Sequence, residues 1–539
     1  MRRWVTPAAL LALAVAWTWP AAVSGGATLV GRHFDLPGTV WFIDAAARVV
    51  PSLHDPLTAW PNGADYSRPD SFTLIALAWL TQWASPVAVH NALQVLGVWM
   101  SAWAASALAE ALGARAPWSW IAGLAFGFCG LASTALLEGH VYHLLDPWLP
   151  LFGWAWWRAT RADARWWHGA LAAVGWSGAL LTTAYLGLAA SVMAPVFLLG
   201  GLLRRELRVA PVAVAAAGVA LVGGLYLSGF SGSGMHTGAP YLHDGFPSQI
   251  HFMQHGSTNL LSLAAPTPEL DRVEHSMSSF TPATVIALVL AAPVALRGFT
   301  GWRRVALAGL VALTLSFGPT LFTPRGAWTY LPMALIAELP QAELIRFPTR
   351  LGWAWVLCGG VVAARVATAL VDRVGWRAWP LLALVILDVF GWGGMPMRQR
   401  TALADAPSAY GAHRGPVLDL FPEYLGRQDE LNPWFQALAC LYQTEHGRPI
   451  ADDCVTPYAS LNPRVARQRA LVTALLAEEP VGEALAEEGF ATVALHADLF
   501  TPGDRARLEE GLLRMDPTPA ESRDGGERIL AFAVPGGTP

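Results

Sequence analysis

Apolar stretches long enough to cross a bilayer recur along this chain, and they decide what it can fold into. A hydrocarbon layer of about 30 Å takes about 20 apolar residues of helix. About eleven stretches meet this requirement: 4–24, 87–112, 117–137, 144–158, 169–184, 186–203, 209–228, 281–296, 305–322, 350–371 and 378–395. Of the 539 residues only 14% are charged and 54% are hydrophobic. A soluble domain carries about 25% charge, so the fold class expected is a polytopic α-helical membrane protein. The 26 tryptophans suit aromatic belts at the two interfaces. Residues 71–83 (SFTLIALAWLTQW) are apolar but short, and are expected to form an interfacial or re-entrant helix.

The arginines give an orientation. With the N-terminus inside, the inner loops hold Arg115, then Arg158, Arg161 and Arg165, then Arg204, Arg205 and Arg208, then Arg297, Arg303 and Arg304, then Arg373 and Arg377. Each inner loop is positive, as the positive-inside rule requires. The expected location is therefore the plasma (inner) membrane, with a cytoplasmic N-terminus and the C-terminal part periplasmic or extracellular. The first span follows Met-Arg-Arg and resembles a signal peptide, with Ala-Val-Ser near its end. Ten further spans favour an uncleaved anchor.

Two domains are expected: residues 1–395 as the membrane domain, with a first outer loop over 25–86 containing amphipathic helices, and 396–539 as a small soluble α/β domain. Val417–Leu420, Thr492–His496 and Ile529–Val534 read as strands; 464–479, 481–489 and 503–514 have helical periodicity. Cys440 and Cys454 either form a disulfide, if this part lies outside the cytoplasm, or stay as two thiols in a core. Cys129 and Cys358 lie in apolar runs and are expected to pack there.

Composition also excludes chemistry. The net charge of −4 leaves no basic footprint for nucleic acid. All 35 basic residues are arginine, which excludes Walker A phosphate binding, Schiff-base catalysis and any lysine base. No GxSxG, HExxH or paired-cysteine zinc spacing is present.

The ionisable residues collect in the outer loops. Asp35 stands just past the first span, ahead of the amphipathic stretch 39–50 (TVWFIDAAARVV). It can serve as a general base on an incoming hydroxyl, or simply cap the helix that follows. Glu138, His140, His143 and Asp146 fall within nine residues of the second outer loop (LLEGHVYHLLDPWLPL). Such groups at a membrane boundary point to a site, and His140 and His143, three apart, share one side of a helix. They can bind phosphate or metal, or face water. The loop 229–280 carries His236, His243, His251, His255 and His275 without a zinc signature, and a solvated lid is the simpler reading. Arg346 and Arg350, four apart at the mouth of a span, lie on the outer side against the positive-inside trend. Their guanidinium forks suit phosphate oxygens; the alternative is plain interfacial charge. Arg365 and Asp388 are the charges lying within spans.

Three stretches resemble a known superfamily. They are Asp35-Leu-Pro-Gly-Thr-Val-Trp-Phe; Glu138-Gly-His140, followed by Trp148-Leu-Pro-Leu; and Ile345-Arg346-Phe-Pro-Thr-Arg350. The terminal part, with His446-Gly-Arg448-Pro, adds to the likeness. Together they resemble the family-C type (GT-C) of integral-membrane glycosyltransferases, the superfamily of protein O-mannosyltransferases and lipid A aminoarabinose transferases. The resemblance implies a sugar donor on polyprenyl phosphate and an active site at the outer face. Asp35 would then be the base, the transfer would invert the anomeric carbon, and Arg346, Arg350 and His140 would bind the donor phosphate. Glu138, His143, Asp44 and Asp65 are the expected substrate-binding groups. The acceptor is a hydroxyl on a glycan, lipid or protein. No cofactor is required; the outer loops permit Mg or Mn without demanding it. One departure from the family is the absence of a second acid beside Asp35. The rival readings are a lipid-linked-saccharide flippase, which two intramembrane charges serve poorly, and a non-catalytic scaffold in envelope polysaccharide assembly.

Overall fold

A computed structural model of the chain describes residues 2–31, 35–65, 71–231, 279–297, 301–392, 401–422, 433–451, 463–523 and 527–537, with short gaps inside them, together with Cys454 and parts of 253–263. They divide into two compact units: Met1–Val23, Arg68–Thr73 and Ala92–Gln399 form one, and Ser24–Ser67, Leu74–Asn91 and Arg400–Pro539 the other.

The structure is mostly helical. By length and apolarity four helical runs suffice to cross a membrane: Pro86–Ala111, Ala184–Leu203, Val209–Ser228 and Pro348–Phe390. A fifth arises if Trp120–Gly127 and Gly130–Leu137, bent by 42°, count as one span. The 43-residue run Pro348–Phe390 contains two of the stretches expected from sequence, joined at Gly375–Ala378. The other expected spans are shorter helices, among them Trp148–Ala159, Trp166–Thr182, Ala283–Ala295 and Trp302–Ser316. Ser71–Leu80 is a ten-residue helix with Ile75 and Trp79 exposed. At 1.5 Å per residue it reaches about 15 Å, half a bilayer.

Small residues let the membrane helices approach. A Cβ on Gly123 would meet the Ala102 carbonyl oxygen at 2.6 Å, and one on Gly127 the Val98 oxygen at 3.0 Å. The two glycines, four apart, seat their helix against Pro86–Ala111 by the small-xxx-small pattern used where lipid supplies no hydrophobic drive. Helix Val209–Ser231 packs on Trp166–Thr182 and turns Val209, Leu221, Leu225 and Leu227 outward. Such a bare apolar flank suits lipid rather than water.

Polar contacts join the ends of neighbouring helices. Arg115 pairs with Asp372, and the Arg365 guanidinium donates to the Gly113 carbonyl oxygen. Arg304 bonds Glu206 at 3.0 Å, and Arg373 the Ala295 carbonyl at 3.2 Å. Elsewhere three hydroxyls, those of Thr258, Ser279 and Thr349, bond one another at 2.7–2.9 Å.

In the second unit a four-stranded sheet runs in the order Val417–Leu420, Thr492–His496, Ile529–Ala533, Ala520–Ser522. The first pair is parallel and the others antiparallel. Val493, Leu495 and Phe532 bury there, as do Leu508 and Leu512 of helix Pro502–Met515. Part of the first outer loop belongs to this unit. Thr28–Val30 pairs antiparallel with Thr401–Leu403, and Trp60 and Leu57 exchange backbone hydrogen bonds with Ile450 at 3.0 and 2.9 Å. The loop helix expected over 39–50 begins earlier and runs Asp35–Val49. Pro37 is accepted because the first turn has no internal partner for its missing N–H. Cys440 and Cys454 form a disulfide; Cys129 and Cys358 are free and buried.

One buried ion cluster in this unit has a consequence for pH. His496 is fully buried, with Nδ1 2.9 Å from Glu527 and Nε2 3.3 Å from Asp419; Tyr410 donates its hydroxyl to Asp419. Burial alone would lower the pKa of His496, but the hydrogen bonds and charges of Asp419 and Glu527 lift it to about 9. The folded form therefore holds a proton that the unfolded chain, with a value near 6.5, releases more readily. The stabilisation is complete below about pH 6.5 and is lost as pH rises through about 9, and is on the order of 3 kcal/mol. We expect the urea midpoint for proteolysis within 400–539 to fall between pH 6.5 and 9.5. In His496→Gln it should start lower and stay flat over that range.

Candidate functional site

The sequence folds a cation against aromatic rings at the start of helix Gly352–Val374. Pro348–Leu351 makes a 3-10 turn into that helix. It is pinned from behind: Thr349 donates its N–H to the Gly256 carbonyl at 3.1 Å, and its hydroxyl shares hydrogen bonds with Thr258 and Ser279. Arg350 is thereby fixed with its Cζ 4.8 Å from the ring centres of both Tyr185 and Phe347. The Phe347 N–H donates to the Tyr185 hydroxyl at 3.1 Å, which locks the two rings together. Among the described residues no carboxylate pairs with Arg350. A half-buried guanidinium backed by π faces keeps its N–H edge available for an anion.

The histidines of the second outer loop stand nearby. His140, Tyr142 and His143 form a ring cluster, with centroids 5.3 Å apart for His140–His143 and 4.6 Å for Tyr142–His143. His143 is buried, and its pKa lies well below the ordinary value, first through burial and then through the positive charges of Arg350 and His140. Burial and the neighbouring positive charges thus both favour its neutral form. Asp146 has become a structural residue: its Oδ1 accepts from the Leu149 N–H at 2.9 Å, capping helix Trp148–Ala159. Glu138 and Arg346 lie outside the described residues.

The first outer loop holds the remaining expected groups. Asp35 is the first residue of the loop helix and Asp65 pairs with His54 in a two-stranded ladder; of these two residues only the backbone is described. Asp44 is committed to Arg48, one turn on, and Arg48 also reaches Asp55 at 3.1 Å. Burial raises the Asp44 pKa against the pull of Arg48. Asp35 and Asp44 are nine residues apart on one helix, about 13 Å along its axis.

Sequence reasoning missed Tyr185, Phe347, Tyr142, the three hydroxyls and the Arg48–Asp55 pair. Only spatial neighbourhood reveals them, although Phe347, between Arg346 and Arg350, was a signal available in the sequence. Asp388, just past the end of helix Trp379–Leu387, accepts from the N–H and hydroxyl of Thr284 at 2.7 and 2.6 Å. It serves the start of helix Ala283–Ala295. Among the described residues no three His, Cys, Asp or Glu side chains converge as a metal site.

Similarity to known proteins now adds the architecture. The cryo-EM structure of the arabinofuranosyltransferase AftD from Mycobacteria matches all of this chain, at 17% identity and a TM-score of 0.59. The chain shares the fold of that arabinofuranosyltransferase over its matched part. A variant of AftD, R1389S, matches over the whole chain at 16% identity and a TM-score of 0.55. The archaeal oligosaccharyltransferase AglB from Archaeoglobus fulgidus matches 94% of the chain at 11% identity and a TM-score of 0.42. The chain spans about two fifths of AftD, 40% of its length. No protein-family profile and no curated protein sequence matches it.

Proposed function

We propose that this protein is a membrane glycosyltransferase that moves a sugar from a polyprenyl-phosphate donor to an acceptor hydroxyl at the extracytoplasmic face. One observation carries the reading: in a chain that shares the fold of an arabinofuranosyltransferase, Arg350 is held between two rings beside a buried histidine whose neutral form is favoured, with no carboxylate partner among the described residues. An unneutralised, preorganised guanidinium fits a phosphate whose charge grows as the glycosidic bond breaks.

In the reaction, the acceptor oxygen attacks the anomeric carbon from the side opposite the phosphate. The bond from that carbon to the phosphate oxygen breaks and its electron pair leaves with polyprenyl phosphate. Asp35 takes the hydroxyl proton, and the anomeric configuration inverts. Arg350, with Arg346 and His140, offsets the charge on the leaving phosphate. Glu138, His143 and Asp65 bind sugar or acceptor, whereas Asp44 serves through Arg48 as a structural group. Mg or Mn is given no step. The cytoplasmic N-terminus and extracytoplasmic residues 396–539 rest on the arginine pattern.

Lipid extraction tests the reading. Cells lacking the protein should accumulate a polyprenyl-phosphate sugar seen by mass spectrometry, and the wild-type gene should clear it. If no lipid-linked sugar changes, the transferase reading fails. A flippase would instead leave the sugar accumulated on the cytoplasmic leaflet, inaccessible to externally added periodate.

A further inference from the structure

The loop helix that begins at Asp35 has no core of its own. Its support comes from helix Pro433–His446, some 400 residues later in the chain, and both lie in the same compact unit. Leu36 and Val40 bury in one cluster with Leu29, Val87 and Leu441. Leu36 directly follows Asp35, so this cluster fixes the first turn of the loop helix.

One side chain ties the two helices by hydrogen bonds. The Gln443 Oε1 accepts from the Trp41 indole N–H at 3.1 Å and from the Arg48 guanidinium at 3.3 Å. Gln443 and Trp41 are both buried. The Gln443 Nε2 has no partner among the described residues. Gln443 thus works through its oxygen alone, as an acceptor for two donors of the loop helix. On the neighbouring turn of the same helix Cys440 is joined to Cys454, which fixes the supporting helix to the chain beyond it.

We infer that Gln443 and Trp41 are positioning residues for transfer: the C-terminal part holds the helix bearing Asp35 in its working orientation. This rests on Asp35 acting as the base. The physical reason is geometric. Proton removal requires the carboxylate within hydrogen-bond reach of the attacking hydroxyl, and a misplacement of about 1 Å can cost about 100-fold in rate. A helix on a long outer loop would not keep that accuracy by itself. The assignment also gives the soluble part a role in the reaction, without any catalytic group of its own.

The test uses the full-length protein in nanodiscs, with three variants: Gln443→Met, Trp41→Phe and the double variant. Gln443→Met keeps the side-chain length and removes the acceptor; Trp41→Phe removes one donor. Two readouts are taken. The first is hydrogen exchange of amides 36–49 against those of strand Val417–Leu420. The second is turnover, with the polyprenyl-phosphate lipid extract of cells lacking the protein as donor.

We expect exchange over 36–49 to rise at least tenfold in Gln443→Met while the strand is unchanged. Turnover at saturating extract should fall about tenfold, with the half-saturating amount of extract within twofold. The double variant should be no slower than Gln443→Met, because the bond that Trp41→Phe removes is already lost in Gln443→Met. Unchanged exchange over 36–49 overturns the inference. Raised exchange with unchanged turnover overturns it as well, since the helix is then not needed in place. If the wild type itself transfers nothing, the transferase reading falls, and exchange alone decides whether Gln443 holds the helix.

Discussion

Asp35→Asn is expected to abolish clearance of the lipid-linked sugar, lowering turnover at least about 100-fold, while the protein folds and inserts normally. Asparagine is nearly isosteric with aspartate but does not take up the proton released by the acceptor hydroxyl; general-base catalysis contributes about 100- to 10,000-fold. The substitution also separates the two roles open to this residue. Asparagine ranks with aspartate at helix starts, so a residue needed only to begin the helix Asp35–Val49 would tolerate it. Asp35→Ala, by contrast, removes both base and cap and should cost about 1 kcal/mol of stability as well. The decisive comparison is the level of polyprenyl-phosphate sugar in cells lacking the protein that carry wild type, Asp35→Asn or Asp35→Ala at equal expression. Clearance by Asp35→Asn but not by Asp35→Ala would make Asp35 a cap and remove the base from the proposed reaction.

The features read correctly from the sequence are those written in local pattern. Apolar length pointed to a membrane chain, and the structure has helical runs long and apolar enough to cross one. The strand stretches 417–420 and 492–496 were legible because short β-rich runs stand between polar turns. Span number was less legible: apolar composition does not say where a helix breaks, as between Gly127 and Gly130. The partners of charged residues were not legible at all. Nothing local distinguishes Asp44, which meets Arg48 one turn away, from an open carboxylate. Likewise, the contact between Trp41 and Gln443 spans 402 positions. Sequence reading therefore yields candidate residue types loop by loop, and the structure shows which of them are bound up in the fold.

Arg350 is the group for which that decision matters most. Arg350→Ala is expected to lower turnover about 100- to 1,000-fold, the usual loss when one preorganised stabiliser of developing negative charge is removed. The effect should fall on turnover more than on the half-saturating amount of donor, since the charge on the phosphate oxygen grows towards the transition state. Arg350→Lys discriminates further. Lysine restores the charge but neither spreads flat between the Tyr185 and Phe347 rings nor offers a paired N–H edge. It should recover about a tenth of the wild-type rate if the planar fork matters, and nearly all of it if charge alone is needed. Burial is the first cause of the low His143 pKa and the Arg350 charge the second. Taking that charge away moves the His143 pKa upward towards 6.5, while burial keeps it below. Loss of activity in Arg350→Ala that is constant from pH 6.5 to 8 would then belong to the phosphate contact. A loss confined to the acid side would trace to protonation of His143, and would reassign Arg350 from phosphate binding to holding that histidine neutral.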